Sequence, residues 1–115
     1  KFFFDDYQFM NLSKLNIKNK VYKSRNFSGA NLSSSAFNDC NFSRCNFYGA
    51  NLKNTIFINC QFIGEQVLFH EARFSKYTKF IDCVIEPINK WITIYQRKNP
   101  DLFKKILKDR GLKIE

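Results

Sequence analysis

At 115 residues and 13.7 kDa, the chain has the size of one domain or a piece of a larger protein, which excludes a multidomain enzyme. Hydrophobic residues make up 44 % and charged ones 25 %, a balance unlike that of disordered chains, and no apolar run approaches the length that crosses a bilayer. The net charge is +9, and 14 Phe stand beside only 4 Gly and 2 Pro, so the first question is whether the aromatics stack on bases while Lys and Arg neutralise phosphates.

The chain opens on Lys1 rather than Met, as a fragment or a processed product would. Lys1-Phe2-Phe3-Phe4 runs at once into Asp5-Asp6, which leaves no apolar stretch of signal-peptide length and no small-residue cleavage site, so no targeting signal is expected. Stepping by five from Phe2 gives Phe2, Tyr7, Leu12, Ile17, Tyr22, Phe27, Leu32, Phe37, Phe42, Phe47, Leu52, Phe57 and Phe62, all large and apolar or aromatic. At the background frequency such a run has a chance on the order of one in ten thousand, even allowing for five phases. A helix repeats every ~3.6 residues and a strand every ~2, so a strict five describes a chain that turns a corner every five residues.

A second slot lies two residues before each centre: Ala30, Ser35, Cys40, Cys45, Ala50, Thr55 and Cys60, all small. Between slot and centre sit Asn26, Asn31, Asn41, Asn46, Asn51 and Gln61, with Ala36 and Ile56 as exceptions. The units Ala30-Asn31-Leu32, Cys40-Asn41-Phe42, Cys45-Asn46-Phe47 and Ala50-Asn51-Leu52 resemble those of the pentapeptide-repeat family, whose unit is small, Asp/Asn, Leu/Phe, then two variable residues. The resemblance is strongest over 25–64 and extends back to Met10.

The resemblance implies an all-β solenoid, a right-handed quadrilateral β-helix with four units per coil. Residues twenty apart support it independently: Ala30 matches Ala50, Asn31 matches Asn51, Leu32 matches Leu52, Phe37 matches Phe57, Cys40 matches Cys60 and Phe42 matches Phe62. Such a coil stacks equal residues at about 4.8 Å. A Phe and a small residue fill each inward pair because the tube is close-packed, Cys counts there as a small hydrophobe, and Asn bonds the backbone at the corners. Gly29 and Gly49 fall at equivalent corners. Phe27, Leu32, Phe37, Phe42, Phe47, Leu52, Phe57 and Phe62 are thus the expected structural core.

After Phe62 the register drifts. A two-residue insertion at 64–66 leads to centres Phe69, Phe74, Phe80 and Ile85 behind Val67, Ala72, Thr78 and Cys83, with Leu68, Arg73, Lys79 and Val84 replacing the Asn. The expected layout is a β-helix of about four coils over 1–87, irregular over 65–87, closed by a C-terminal α-helical cap over 88–115. Asn99-Pro100-Asp101 is a good helix start, with Leu102, Phe103, Ile106 and Leu107 as its stripe and Gly111 as its stop. Ile88, Trp91, Ile92 and Tyr95 also keep helical spacing, although Ile92-Thr93-Ile94 has strand character. Capping is expected because an open coil end exposes strand edges.

Cys40, Cys45, Cys60 and Cys83 all fall in the small slot and lack zinc-ligand spacing, so buried free thiols are expected, although stacked Cys40 and Cys60 are near enough for a disulfide. His70, the only histidine, reads as a surface residue, and Glu65, Glu71, Asp82 and Glu86 as a loose cluster in the irregular units. No catalytic, metal or cofactor-binding residue is expected, and the four isolated Gly make no phosphate loop.

Two basic clusters form the candidate patch: Lys14, Lys18, Lys20, Lys23 and Arg25 early, and Arg97, Lys98, Lys104, Lys105, Lys108, Arg110 and Lys113 late. Their bland alternative is a solvated surface that keeps a Phe-filled solenoid soluble. The resemblance brings several roles. Some relatives bind DNA gyrase and other topoisomerases by mimicking DNA, which needs a negative surface that +9 denies; others are recognition modules of bacterial effectors. The leading expectation is therefore a non-catalytic module for protein–protein interaction, cytoplasmic in a bacterium or delivered as part of an effector-like chain. Nucleic-acid or anionic-membrane binding through the basic clusters, and a homodimer through the C-terminal helix, are its alternatives.

Overall fold

The computed structural model describes residues 7–63, 69, 71–85, 93–94 and 113–114. The five-residue step is one side of a coil. From Phe9 to Asn59 every fifth residue has φ between 52° and 65°, the left-handed region that bends the chain at each corner. Gly29 and Gly49, both at 65°, are two of these.

The sides are of two kinds. Two sides are short parallel sheets: β1 (Asn16–Lys18), β3 (Ala36–Asn38), β5 (Ile56–Ile58) and β8 (Lys79–Ile81) stack in one, and β2 (Val21–Lys23), β4 (Asn41–Ser43), β6 (Gln61–Ile63) and β9 (Cys83–Ile85) in the other. The other two are joined by single bridges, Asn11 to Asn31 to Asn51 to Arg73, and Asn26 to Asn46. Each bridged side ends in a hydrogen-bonded turn, as in Ala30 N to Phe27 O at 3.0 Å and Thr55 N to Leu52 O at 3.2 Å. The positive φ falls on the third residue of these turns, the arrangement of a type II turn. Partners are twenty residues apart throughout the first three rungs, as in Phe37 opposite Phe57 and Phe42 opposite Phe62. The fold is an all-β solenoid of about three turns, since the first and last of the four parallel rungs on each of these sides are three turns apart, one fewer than the coil count expected from length.

The fourth rung keeps the alignment despite the drift. Arg73 pairs with Asn51 and Lys79 with Ile56, separations of 22 and 23. The first two extra residues lie between Ile63 and Phe69. The third is absorbed by a turn in which Thr78 N bonds Ser75 O at 3.1 Å and Ser75 N bonds Thr78 Oγ1 at 3.0 Å.

Inside, the centres form columns. Tyr7, Phe27, Phe47 and Phe69 stack with centroids 4.9, 4.9 and 5.2 Å apart. Phe37, Phe57 and Phe80 stack at 5.2 and 5.0 Å, and Tyr22, Phe42 and Phe62 at 5.2 and 5.1 Å. Neighbouring columns meet edge to face, as in Phe57 against Phe62 at 77°, the two geometries that aromatic quadrupoles favour. The expected core residues Phe27, Leu32, Phe37, Phe42, Phe47, Leu52, Phe57 and Phe62 are all at most 2 % exposed.

The C-terminal stretch departs from expectation where it is described. Thr93–Ile94 is a strand, β10, antiparallel to β9, with Thr93 opposite Val84 and Ile94 opposite Cys83. Lys113–Ile114 is β11, parallel to β7 (Arg73–Phe74). The helical spacing of Ile88, Trp91, Ile92 and Tyr95 therefore loses at residues 93–94 to the unpaired backbone groups at the edge of β9, which a strand satisfies and a helix cannot. Among the described residues there is no helix. The expected helix over 99–111 lies outside them, as do Val67, Leu68, His70, Glu65, Glu86, Arg97, Lys98, Lys104, Lys105, Lys108 and Arg110.

Candidate functional surfaces

Lys14, Lys18, Lys20 and Lys23 are exposed and Arg25 is half-buried. They occupy one coil, residues 7–26, but not one side of it: Lys18 and Lys23 flank the centres of β1 and β2, Lys14 holds a corner at φ 59°, and Lys20 and Arg25 stand in the slot positions of the next two sides. The early cluster is a ring around one level of the tube.

In the coils stacked on it the slot is chemically specific. Ser35 Oγ donates to Leu12 O at 2.7 Å, Thr55 Oγ1 to Leu32 O at 2.8 Å and Thr78 Oγ1 to Leu52 O at 2.6 Å. The thiols of Cys45, Cys60 and Cys83 each reach the carbonyl of Tyr22, Phe37 and Phe57 at 3.3 Å. In every case the acceptor is the centre of the coil below. Cys in this fold is therefore a donor as well as a small hydrophobe. All four thiols are free and buried. Burial pushes Cys40 and Cys83 up, Cys45 up to about 11 and Tyr22 up to about 12.

The Asn positions divide by side. On the bridged sides Asn11, Asn26, Asn31, Asn46 and Asn51 each accept from the backbone N–H two residues on, for example Tyr48 N to Asn46 Oδ1 at 2.8 Å and Lys53 N to Asn51 Oδ1 at 3.0 Å. On the sheet sides there is no such turn to hold, and there Ala36, Ile56 and Gln61 replace Asn. Asn41, the Asn of β4, bonds Gln61 Oε1 through Nδ2 at 3.1 Å, while its own Oδ1 is buried without a partner. The expectation of an Asn–backbone bond at every corner is corrected to the bridged sides alone.

Small inward slot, Asn cap and apolar centre in a four-sided register are what comparison with known families matches: the family described as pentapeptide repeats covers residues 26–62 in eight copies. Those residues are pentapeptide repeats. Among curated proteins, none matches the chain.

The pentapeptide-repeat solenoid is typically a non-catalytic fold, and its interior here is filled by packing. A hollow of about 210 Å³ opens on the outside at the corner between the two sheets, lined by Asp39, Cys40, Asn41, Asn59 and Gln61. Asn59 Nδ2 donates to Asp39 Oδ1. Cys40 is 2 % exposed and its thiol is held protonated by burial, so the hollow offers amide and carboxylate oxygens rather than a nucleophile with its base. Among the described residues no group of three His, Cys, Asp or Glu is placed to hold a metal ion.

Proposed function

We propose that the chain is a non-catalytic binding module, a rigid solenoid whose outward residues meet a protein partner, working as one domain of a larger effector-like protein. The observation that carries this reading is the division of labour in each unit. Slot and centre are committed to the tube, and Asn to the corners, so recognition falls to the remaining outward positions. Those positions favour an acidic partner. Among the described side chains ten Lys and Arg stand against three Asp and Glu, and the bridged side that runs from Asn11 to Arg73 carries Lys14, Lys53, Arg73 and Lys76 with no carboxylate among its described residues. The same charge argues against DNA mimicry.

Covalent capture of neighbours in the source cell, with the intact chain and with Arg73→Glu/Lys76→Glu, tests the reading. A protein recovered by the first and lost by the second supports a basic docking side. Equal recovery by both would show that these charges serve solubility alone.

A further inference from the structure

The hollow beside Cys40 lies in the middle coils, away from both ends of the described chain, and the repeat itself sets its walls. One wall is a corner column. Asp39 and Asn59 hold φ of 54° and 52° there, in the left-handed region that Asp and Asn enter more readily than other side chains except Gly. The other wall is the outward position that opens β4 and β6, where Asn41 stands in register with Gln61. The same strand position holds Val21 on the coil below and Val84 on the coil above, so two amide rungs lie between two apolar ones.

The side chains of this hollow leave more acceptors than donors unused. Asp39 accepts on Oδ1 from Asn59 Nδ2, and its second oxygen has neither a hydrogen bond nor an ion pair, although ten Lys and Arg stand among the described side chains. Asn41 Nδ2 donates to Gln61 Oε1 at 3.1 Å. That leaves Asn59 Oδ1 and Asn41 Oδ1 without donors, the second of them buried, against Gln61 Nε2 on the donor side. A buried oxygen with no donor is rare in a folded protein and marks a place where a partner group belongs.

We propose that the hollow takes a guanidinium group, which donates to Asp39 Oδ2 and Asn59 Oδ1 and, after a turn of the Asn41 side chain, to Asn41 Oδ1. A guanidinium carries five N–H donors in one plane, keeps its charge, and is more weakly hydrated than an ammonium. A volume of about 210 Å³ admits it, and Val21 and Val84 on the flanking rungs offer apolar contact to a methylene stem. A calcium ion takes about six to eight oxygens, carboxylates among them, and meets one carboxylate here. The site lies where the two sheet sides meet, apart from the basic side that carries Lys14, Lys53, Arg73 and Lys76, and it does not rest on the docking role of that side.

Magnetic resonance of the side-chain amides of Asn41, Asn59 and Gln61 in the isotope-labelled full chain checks this. Methylguanidinium is expected to shift them to saturation at concentrations on the order of millimolar, and methylammonium or calcium at the same concentration is not. Asp39→Asn places at this corner the residue that Asn19 and Asn59 already hold at positive φ, and it weakens binding by about tenfold or more at unchanged circular dichroism. Asn41→Val, with the residue that Val21 and Val84 hold in the same strand position, weakens it as well, read from Asn59 and Gln61. Acetyl-arginine methylamide separates the two sources of the group: tighter binding than methylguanidinium assigns it to an arginine side chain of a partner, and equal binding to a free guanidinium compound. The proposal is overturned if the amides do not shift, if methylammonium or calcium shifts them as much, or if either variant binds as the intact chain does.

Discussion

A buried side chain that can ionise ties the stability of this tube to pH. Tyr22 is raised to about 12 and Cys45 to about 11, both chiefly by desolvation. In the unfolded chain a Cys gives up its proton near pH 8.5 and a Tyr near 10, about their ordinary values. The fold holds the protonated forms, so their contribution is complete below about pH 8 and is lost as pH rises through 12. Each proton retained only in the fold gives a slope of about 1.4 kcal/mol per pH unit. Urea midpoints followed by circular dichroism are expected to be level from pH 7 to about 8 and to fall above it; a midpoint flat to pH 11 would contradict the burial of these groups. Sequence spacing alone placed all four Cys in the slot. The sulfur–carbonyl bonds were not legible, because they join residues 23 apart and need the direction in which the slot leans.

At the scale of one side, the Asn caps and the strands do different jobs. Asn46→Ala removes the bond to Tyr48 N and is expected to cost about 0.5–1.5 kcal/mol. Asn41→Ala removes one bond to Gln61 but also a buried oxygen without a partner, so it should cost distinctly less, and denaturant titration of the two variants decides. Within the regular coils the sequence already held the distinction, since Ala36, Ile56 and Gln61 interrupt the Asn only on the sheet sides. Strands β10 and β11 were less legible. Two-residue strands carry no period, and their place comes from the open edges of β9 and β7, which the β-branched run Ile92-Thr93-Ile94 only hints at and nothing at 113–114 announces. At 93–94 the helical spacing outweighed that short strand signal, because the pairing edge of β9 is not visible in sequence.

Over the whole molecule, stability should be graded along the axis, since each coil touches only its neighbours. Leu52 is fully buried between Leu32 and Phe74, whereas Leu12 is partly exposed at the end. Leu52→Ala should therefore cost about 2–5 kcal/mol and Leu12→Ala clearly less, as unfolding in urea will show; equal costs would mean that the first coil is covered as well as the third. The period and the register of the regular coils were plain from residues twenty apart. The ring of Lys was visible only as a cluster, because a run of sequence does not show that five neighbours encircle a tube.

The two ends of the described coils are unlike, one basic and the other overlaid on two sides by β10 and β11. Between them the coils over 27–63 repeat the same register without reference to either end. The body is in that sense a spacer of adjustable length. Whole twenty-residue coils could be added or removed between the ends, moving them apart or together in steps of about 4.8 Å while leaving what each end touches unchanged.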